Sequence, residues 1–166
     1  MGPVLSRRNI RKYTDQPVTK QDLQTMLRAA MVAPSADDER PWHFIVIEDR
    51  QLLEQVPKIY PNAHMVDRAA LSILVCGDQR LQKVKGFWSQ DCAAATQNIL
   101  IEAQHLGLGT VWLGIYPLPG RVESFRRLFK IPEHVVPFAL VPVGHPAELR
   151  EAVQRYDESR VHRDYW

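Results

Sequence analysis

Hydrophobic and polar residues alternate along the chain with two different periods, and these periods predict its helices and strands. Between Thr19 and Pro34 apolar residues recur at intervals of three and four, which is typical of an amphipathic helix. Thr19 followed by Asp22 has the form of a capping box at the start of that helix. The same reasoning predicts helices over 20–33, 50–56, 91–106 and 123–129, and strands over 43–48, 71–76, 110–116 and 135–143.

The order of these elements predicts a single domain over residues 1–166. Helices and strands alternate without a repeat or a linker, which favours a three-layer α/β or α+β sandwich over an all-helical or an all-β fold. Residues 1–18 are expected to form an extended arm, and Pro137 and Pro142 indicate that the last strand is irregular or lies at an edge. The segment after His145 is polar but rich in aromatic residues, so we expect it to pack against another surface.

Composition agrees with a globular protein and excludes several other classes. Of 166 residues, 45% are hydrophobic and 24% are charged, with a net charge of +2. Two cysteines are too few for a disulfide-stabilised secreted scaffold. No window is apolar enough to span a membrane, and the N-terminus lacks the apolar core of a signal peptide. We therefore expect a cytoplasmic protein.

A search for catalytic signatures excludes most of the common ones. The chain has no GxSxG, HExxH, CxxC or P-loop pattern, and its six histidines do not fall at the spacing of metal ligands. Gly107 and Gly109 follow a helix and precede a strand, whereas a dinucleotide-binding fingerprint needs the opposite order. The acidic run 37–39 has the character of a solvated loop. We predict no metal site and no catalytic nucleophile.

A cluster of positive charge near the N-terminus is the strongest local signal. Arg7, Arg8, Arg11 and Lys12 lie within six residues. In an extended arm side chains alternate, so Arg7 and Arg11 point to one side with Asn9 between them, which suits a phosphate monoester. The alternative is a solvated basic arm. A nucleic-acid module is disfavoured, because the arm lacks interleaved aromatic residues and a second basic stretch.

Four segments in a fixed order make the sequence recognisable. They read RRNIRKYTDQPV from residue 7, APSADDERPWHF from residue 33, QDCAAATQNILIEAQHLGLGTVWLGIYP from residue 90 and VPVGHP from residue 141. Together they resemble the nitroreductase family of FMN-dependent oxidoreductases from about residue 7 to the end of the chain. The resemblance implies that family's α+β fold, with a mixed and largely antiparallel sheet.

The resemblance also implies roles for individual residues. An N-terminal group and one late arginine would grip the FMN phosphate and ribityl chain: Arg7, Arg8, Asn9, Arg11 and Arg155. A turn would lie along the flavin ring from the partner subunit: Pro34, Ser35 and Ala36. A strand segment would turn a backbone N–H toward flavin N5 and O4: Leu113 and Gly114. The glycine in that strand independently indicates a close approach by a ligand or another backbone.

Two positions depart from the family pattern, and two others form a candidate lid. Asp38 and Arg40 replace an Asn and a Gln, so an acceptor and a donor stand where amides could do both. They either change contacts at the flavin pyrimidine edge or lie on the surface. Phe87 and Trp88 fall where the family places a lid over the flavin, and core packing is the alternative.

The function implied is that of a homodimeric oxidoreductase with FMN at its interface. Hydride from NADH or NADPH would reach flavin N5, and a nitroaromatic, quinone or similar electron-poor small molecule would then be reduced by a ping-pong mechanism. The alternatives are a flavin-binding relative without turnover, such as a sensor or storage protein, and a specialised reaction such as reductive dehalogenation. The physiological acceptor and the choice between NADH and NADPH stay open.

Overall fold

A five-stranded antiparallel sheet forms the middle layer of the fold. The computed structural model describes residues 2–151 and 153–166. The strands are β1 (Trp42–Ile47), β2 (Leu71–Asp78), β3 (Gly109–Thr110), β4 (Leu113–Gly114) and β5 (Val135–Gly144). The helices are α1 (Pro3–Ser6), α2 (Lys20–Met31), α3 (Arg50–Ile59), α4 (Trp88–His105) and α5 (Pro119–Phe129). Short 3-10 turns cover Ala36–Asp38, Pro61–Arg68 and Glu158–Arg160.

Side chains of the sheet separate into two apolar clusters, one on each face. In β2, Ile73 and Val75 join the cluster under α2 and α4, while Leu74 and Cys76 join the cluster under α3 and α5. This period of two is the consequence of alternating side-chain direction in a strand. The predicted α+β sandwich of three layers is therefore confirmed. Among the described helices, none combines the length and hydropathy needed to cross a bilayer.

The last strand is irregular and lies in the centre of the sheet, so of the two predicted alternatives the irregular strand is confirmed and the edge is wrong. The sheet runs β1-β2-β5-β3, and β4 also pairs with β5. Pro137 lies beside a shift of register between Val75 and Cys76, and Pro142 lies opposite the gap between β3 and β4. A central strand accepts proline at such places, because no regular ladder bond is lost there. The gap also divides the predicted strand 110–116 into two short ones.

Helix boundaries follow the capping residues. Thr19 Oγ1 accepts the N–H of Asp22 at 3.0 Å, and Asp49 Oδ1 accepts the N–H of Gln51 at 2.8 Å. Gly107 ends α4 with φ of +74°, a conformation that suits glycine. These predicted caps are confirmed. The predicted α4 starts three residues too late, because Trp88 already belongs to the helix.

The N-terminal arm continues the sheet through backbone bonds and a groove made by two glycines. After the single turn of α1, Ile10 donates its N–H to Thr110 O at 2.9 Å. Gly109 of β3 pairs with Gly144 of β5. A Cβ on Gly109 would lie 2.8 Å from Ile10 Cβ, and one on Gly144 would lie 2.9 Å from Tyr13 Cδ1. The arm therefore lies where only glycine leaves room for it.

Candidate functional site

The arm brings its arginines against the C-terminal segment and forms a positively charged cleft. Two adjoining cavities, of about 340 and 500 Å³, share Arg8, Asn9, Val153 and Arg155 in their walls. We call this site the arginine cleft and define it by six residues: Arg7, Arg8, Asn9, Arg11, Arg150 and Arg155. The predicted arm residues and Arg155 are thus brought together, and Arg150 joins them without having been predicted.

Few negative charges balance the arginine cleft. Burial lowers the pKa of Arg7, and repulsion from Arg8 and Arg155 lowers it further. Arg150 pairs with Glu148 at 3.0 Å, whereas the other four arginines form no salt bridge with any residue that the structure describes. Glu151 lines one of the two cavities, but four guanidinium groups without a carboxylate partner leave an excess of positive charge, which suits an anion such as a phosphate.

The individual contacts show which side chains hold the cleft together. Arg8 donates from Nε to the carbonyl of Glu151 at 2.7 Å, which ties the arm to the C-terminal segment. Arg7 donates from Nη1 to Asn9 Oδ1 at 3.1 Å. Arg11 is exposed, and its guanidinium contacts no acceptor within the described ranges. Arg8 is therefore structural in part, while Arg11 is free to bind a ligand.

The Leu113–Gly114 strand lies at the same edge of the sheet as the arm. Asn9 bridges to Thr110 of β3, and β4 follows β3 along the edge of β5. A Cβ built on Gly114 would have no atom within 4 Å, so open space adjoins this strand. Its carbonyl accepts a hydrogen bond from Arg121 Nη1 at 2.9 Å. The sequence did not single out Arg121, since seven residues and a turn separate it from Gly114.

The turn with Pro34, Ser35 and Ala36 leads into β1, which lies at the opposite edge of the sheet from β3, with β2 and β5 between them. None of these three residues, nor Asp38, lines the arginine cleft. Ser35 Oγ accepts the N–H of Arg40 at 3.1 Å. A single chain therefore does not bring the turn to the arginine cleft.

The two departures from the family pattern pair with each other inside this turn. Arg40 donates from Nε to Asp38 Oδ1 at 2.6 Å, and both side chains are exposed. Asp38 and Arg40 both have positive φ, 53° and 43°, as does Asp37 at 47°. The bond to Arg40 holds the pKa of Asp38 below its usual range. The acceptor and the donor that replace the amides are thus occupied with one another.

A pair of buried carboxyl groups holds the turn through hydrogen bonds, and sequence reasoning missed this pair. Asp91 Oδ1 accepts the N–H of Ala36 at 3.0 Å, and Glu39 Oε2 accepts the N–H of Lys83 at 2.7 Å. The remaining oxygens, Asp91 Oδ2 and Glu39 Oε1, are buried and have no other hydrogen-bond partner in the described parts of the chain. Burial, with the facing Glu39 carboxyl, raises the pKa of Asp91 to about 6. The only sequence signal was an acid in the first turn of an apolar helix.

The two candidate lid residues have different environments. Trp88 is 3% exposed, and its ring packs against Tyr116 at 4.8 Å between centroids. It belongs to the core in this structure, because a buried indole cannot cover an open face. Phe87, the preceding residue, is 41% exposed and stays a candidate for the lid.

Comparisons with known proteins agree on one class. The Nitroreductase family description matches residues 4–145. A protein of Methanothermobacter thermautotrophicus, provisionally named NADH dehydrogenase/NAD(P)H nitroreductase, is 51% identical over 98% of this chain and 85% of its own length. The structure of an FMN-dependent nitroreductase from Clostridium difficile superposes with a TM-score of 0.92 at 28% identity, covering 99% of each chain.

A second solved structure is similar over the same extent. It belongs to a provisionally named NADH oxidase of Clostridium acetobutylicum, with a TM-score of 0.96, 37% identity and 99% of each chain covered. The fold and the sequence thus define an oxidoreductase enzyme. The chain belongs to the nitroreductase family, and the resemblance drawn from its motifs is confirmed.

Proposed function

We propose that the protein is an FMN-dependent NAD(P)H oxidoreductase that reduces nitroaromatics, quinones or similar electron-poor small molecules. The observation that carries this proposal is the arginine cleft, whose Asn9 bridges to β3, together with the open space at Gly114 in the strand that follows β3. A phosphate monoester is negatively charged and would balance the unpaired guanidinium groups. The charge-assisted hydrogen bonds between them are strong. The cleft therefore fits the phosphate end of FMN.

The strand that follows β3 suits the other end of the cofactor. When bound, FMN supplies hydride acceptance and donation at N5, so the protein needs no nucleophile of its own. Gly114 has no side chain to block a ring, and a backbone N–H from Leu113 or Gly114 would stabilise negative charge there. Arg7, Arg8, Asn9, Arg11 and Arg155 would hold the phosphate and ribityl chain.

A second copy of the chain is part of the proposal. The turn at Pro34–Ala36 does not line the arginine cleft of its own chain, so in a homodimer it would reach the flavin of the partner, as the family resemblance implies. The C-terminal segment supports this assembly, because Tyr165 and Trp166 are 88% and 101% exposed. Neighbouring exposed aromatic side chains are stabilised when a partner covers them. FMN would then lie at the interface between two single-domain protomers.

Both substrates would bind at the same face of the flavin, and the lid and the kinetic mechanism follow from this. Phe87 would cover the acceptor, and one pocket would serve NADH or NADPH and the acceptor in turn, which gives a ping-pong mechanism. A cytoplasmic location is part of the proposal, because two cysteines are too few for a disulfide-stabilised secreted scaffold.

The test is a titration of the flavin-free protein with FMN and with riboflavin, which lacks the phosphate. Arg11→Ala should weaken FMN binding about 10- to 150-fold, since bonds to a charged group contribute about 1.5–3 kcal/mol. Riboflavin should bind the variant and the wild type equally. Because Arg11 is exposed, the variant should retain its fold.

The matched control removes an equally exposed arginine from α5, far along the chain from the cleft. Arg127→Ala should leave the affinities for both flavins unchanged. Equal FMN affinities in Arg11→Ala and wild type would contradict the proposed phosphate site. An equal loss for both flavins would show that the arm itself had been displaced.

A further inference from the structure

Two buried carboxyl groups join two loops that are distant in sequence. Asp91, in the first turn of α4, accepts the N–H of Ala36 from the turn 35–40 at 3.0 Å. Glu39 belongs to that turn, and its Oε2 accepts two consecutive N–H groups of the loop 79–87 at 2.7 and 3.1 Å. The turn is therefore fastened both to α4 and to the loop that leads into α4.

The two carboxyl groups also face each other through the oxygens that remain. Asp91 and Glu39 are 4% and 6% exposed, and Asp91 Oδ2 and Glu39 Oε1 have no other partner in the described part of the chain. Two carboxylates in such a contact repel each other, so one proton has to lie between them. Burial opposes ionisation at Glu39, but bonds from the N–H groups of Val84 and Lys83 outweigh it and lower its pKa. Burial raises the pKa of Asp91 to about 6, so the proton resides on Asp91 and is donated to Glu39.

Few other titratable groups face the pair. From the loop, Lys83 donates from Nζ to the carbonyl of Asp37 at 2.7 Å and lies 3.9 Å from the carboxylate of that residue. From α4, the Cys92 thiol adjoins Asp91, and burial raises the pKa of this thiol, so it stays neutral. Neither of these neighbours donates to the two facing oxygens, and within the described residues the shared proton alone joins Asp91 to Glu39.

We propose that Asp91 and Glu39 form a proton-held clasp, which closes the turn 35–40 against the loop 79–87 while the pair binds a proton and loosens both segments when the proton leaves. The clasp is a pH-sensitive device within one protomer, and it needs neither a cofactor nor a second chain. Because the loop ends at Phe87, the clasp also restrains the segment that carries the candidate lid.

The range of pH over which the clasp responds follows from the uptake of a proton on closing. In the closed form the pKa of Asp91 is about 6, and in the open form, where water reaches the carboxyl, it returns to 3.8. Opening releases this proton, so it becomes more favourable as pH rises from about 4 to about 6 and is constant at higher pH. The difference in pKa corresponds to about a 100-fold change in the equilibrium constant for opening.

The experiment measures amide hydrogen exchange of the full chain by NMR, because local opening exposes the bonded N–H groups to water. Asp91→Asn keeps the acceptor for Ala36 and gives Glu39 a permanent donor. At pH 7 it should slow the exchange of Lys83 and Val84 about 100-fold, although Asp91 bonds to neither. At pH 4 the effect should shrink to about two- to threefold, because the wild-type pair is then protonated in the closed form and partly in the open form.

Glu39→Gln is the reciprocal variant, and Asp37→Asn is the matched control. Glutamine keeps an acceptor for the loop and donates to Asp91, so the exchange of Ala36 should slow to the same extent, although the Glu39 side chain does not bond to Ala36. Asp37→Asn removes the same charge from the same turn, and asparagine tolerates the positive φ of 47° at this position. The control should slow none of the three N–H groups.

Two outcomes would overturn the inference. Slowing confined to the N–H groups that the substituted side chain itself accepts would show that the two carboxyls act independently and do not link the turn to the loop. Equal slowing in Asp37→Asn would show that any loss of negative charge from the turn is sufficient. Asp91→Asn and Glu39→Gln each report on the segment bonded by the other residue, so either variant that folds decides the question.

Discussion

Replacing Asp91 by asparagine should stabilise the protein in alkaline solution and not in acid. Asp91 is 4% exposed, and its carboxyl faces that of Glu39, which is 6% exposed. Asparagine retains the oxygen that accepts the Ala36 N–H. Its amide group also supplies a donor for Glu39 Oε1, an oxygen without a donor partner in the described residues. The variant therefore imitates the protonated aspartic acid at every pH.

The magnitude follows from the pKa of Asp91, which burial raises from 3.8 to about 6. Between these values the folded state binds more protons than the unfolded state, so the free energy of unfolding decreases as pH rises. The full contribution is present below pH 4 and is lost above about pH 6. This difference in pKa corresponds to about 3 kcal/mol in the free energy of unfolding. That difference should raise the Tm of Asp91→Asn at pH 8 by roughly 6–12 °C.

The assay is thermal unfolding at constant ionic strength, measured at pH 4.5 and at pH 8 for both proteins. Asp15→Asn serves as the control, because Asp15 is exposed and its substitution should change neither value. An advantage for Asp91→Asn at pH 8 that falls to about a third of its size at pH 4.5, a value between the pKa of the unfolded state and that of the folded state, is the expected outcome. A variant that is destabilised equally at both pH values would refute the raised pKa of Asp91 beside Glu39.

Three other measurements bear on the site and the assembly. Double-reciprocal plots with NADH or NADPH and a quinone should give parallel lines, and intersecting lines would exclude one shared pocket. Light scattering of the flavin-loaded protein should give twice 19.1 kDa, whereas a loaded species of that single mass would refute the dimer. Gly109→Ala should weaken FMN binding, because the new Cβ would lie 2.8 Å from Ile10 Cβ and displace the arm; an affinity equal to that of wild type would show that the arm tolerates the shift.

Local signals predicted the helices and strands well where a single segment determines the outcome. Thr19, Asp49 and Gly107 mark helix ends through bonds and conformations that span only a few residues. The central place of β5 was beyond such signals, because strand order depends on pairing between distant segments. Pro137 and Pro142 indicated an edge or an irregular strand, and a shift of register and a gap in the neighbouring strand accommodate them in the centre of the sheet.

The same contrast between local signals and contacts of distant segments applies to the candidate site. The arginine cluster of the arm was visible because its members lie within a few residues, and Arg155 was found only through the family resemblance. Arg121 and Glu39 act through partners elsewhere in the chain, Tyr60 and Asp91 among them. A side chain whose role depends on tertiary contacts leaves no periodic trace in the sequence. Such residues became visible only through the distances in the folded chain.

The arginine cleft has a consequence for the lifetime of the protein in a cell. Like charges gathered in one place repel each other, so the free protein is less stable than the same chain with an anion among them. A ligand at a hundred times its Kd adds about 2.7 kcal/mol to the free energy of unfolding. If FMN is that ligand, its supply sets the fraction of molecules open to proteases, and a hundredfold excess over Kd lowers that fraction about a hundredfold.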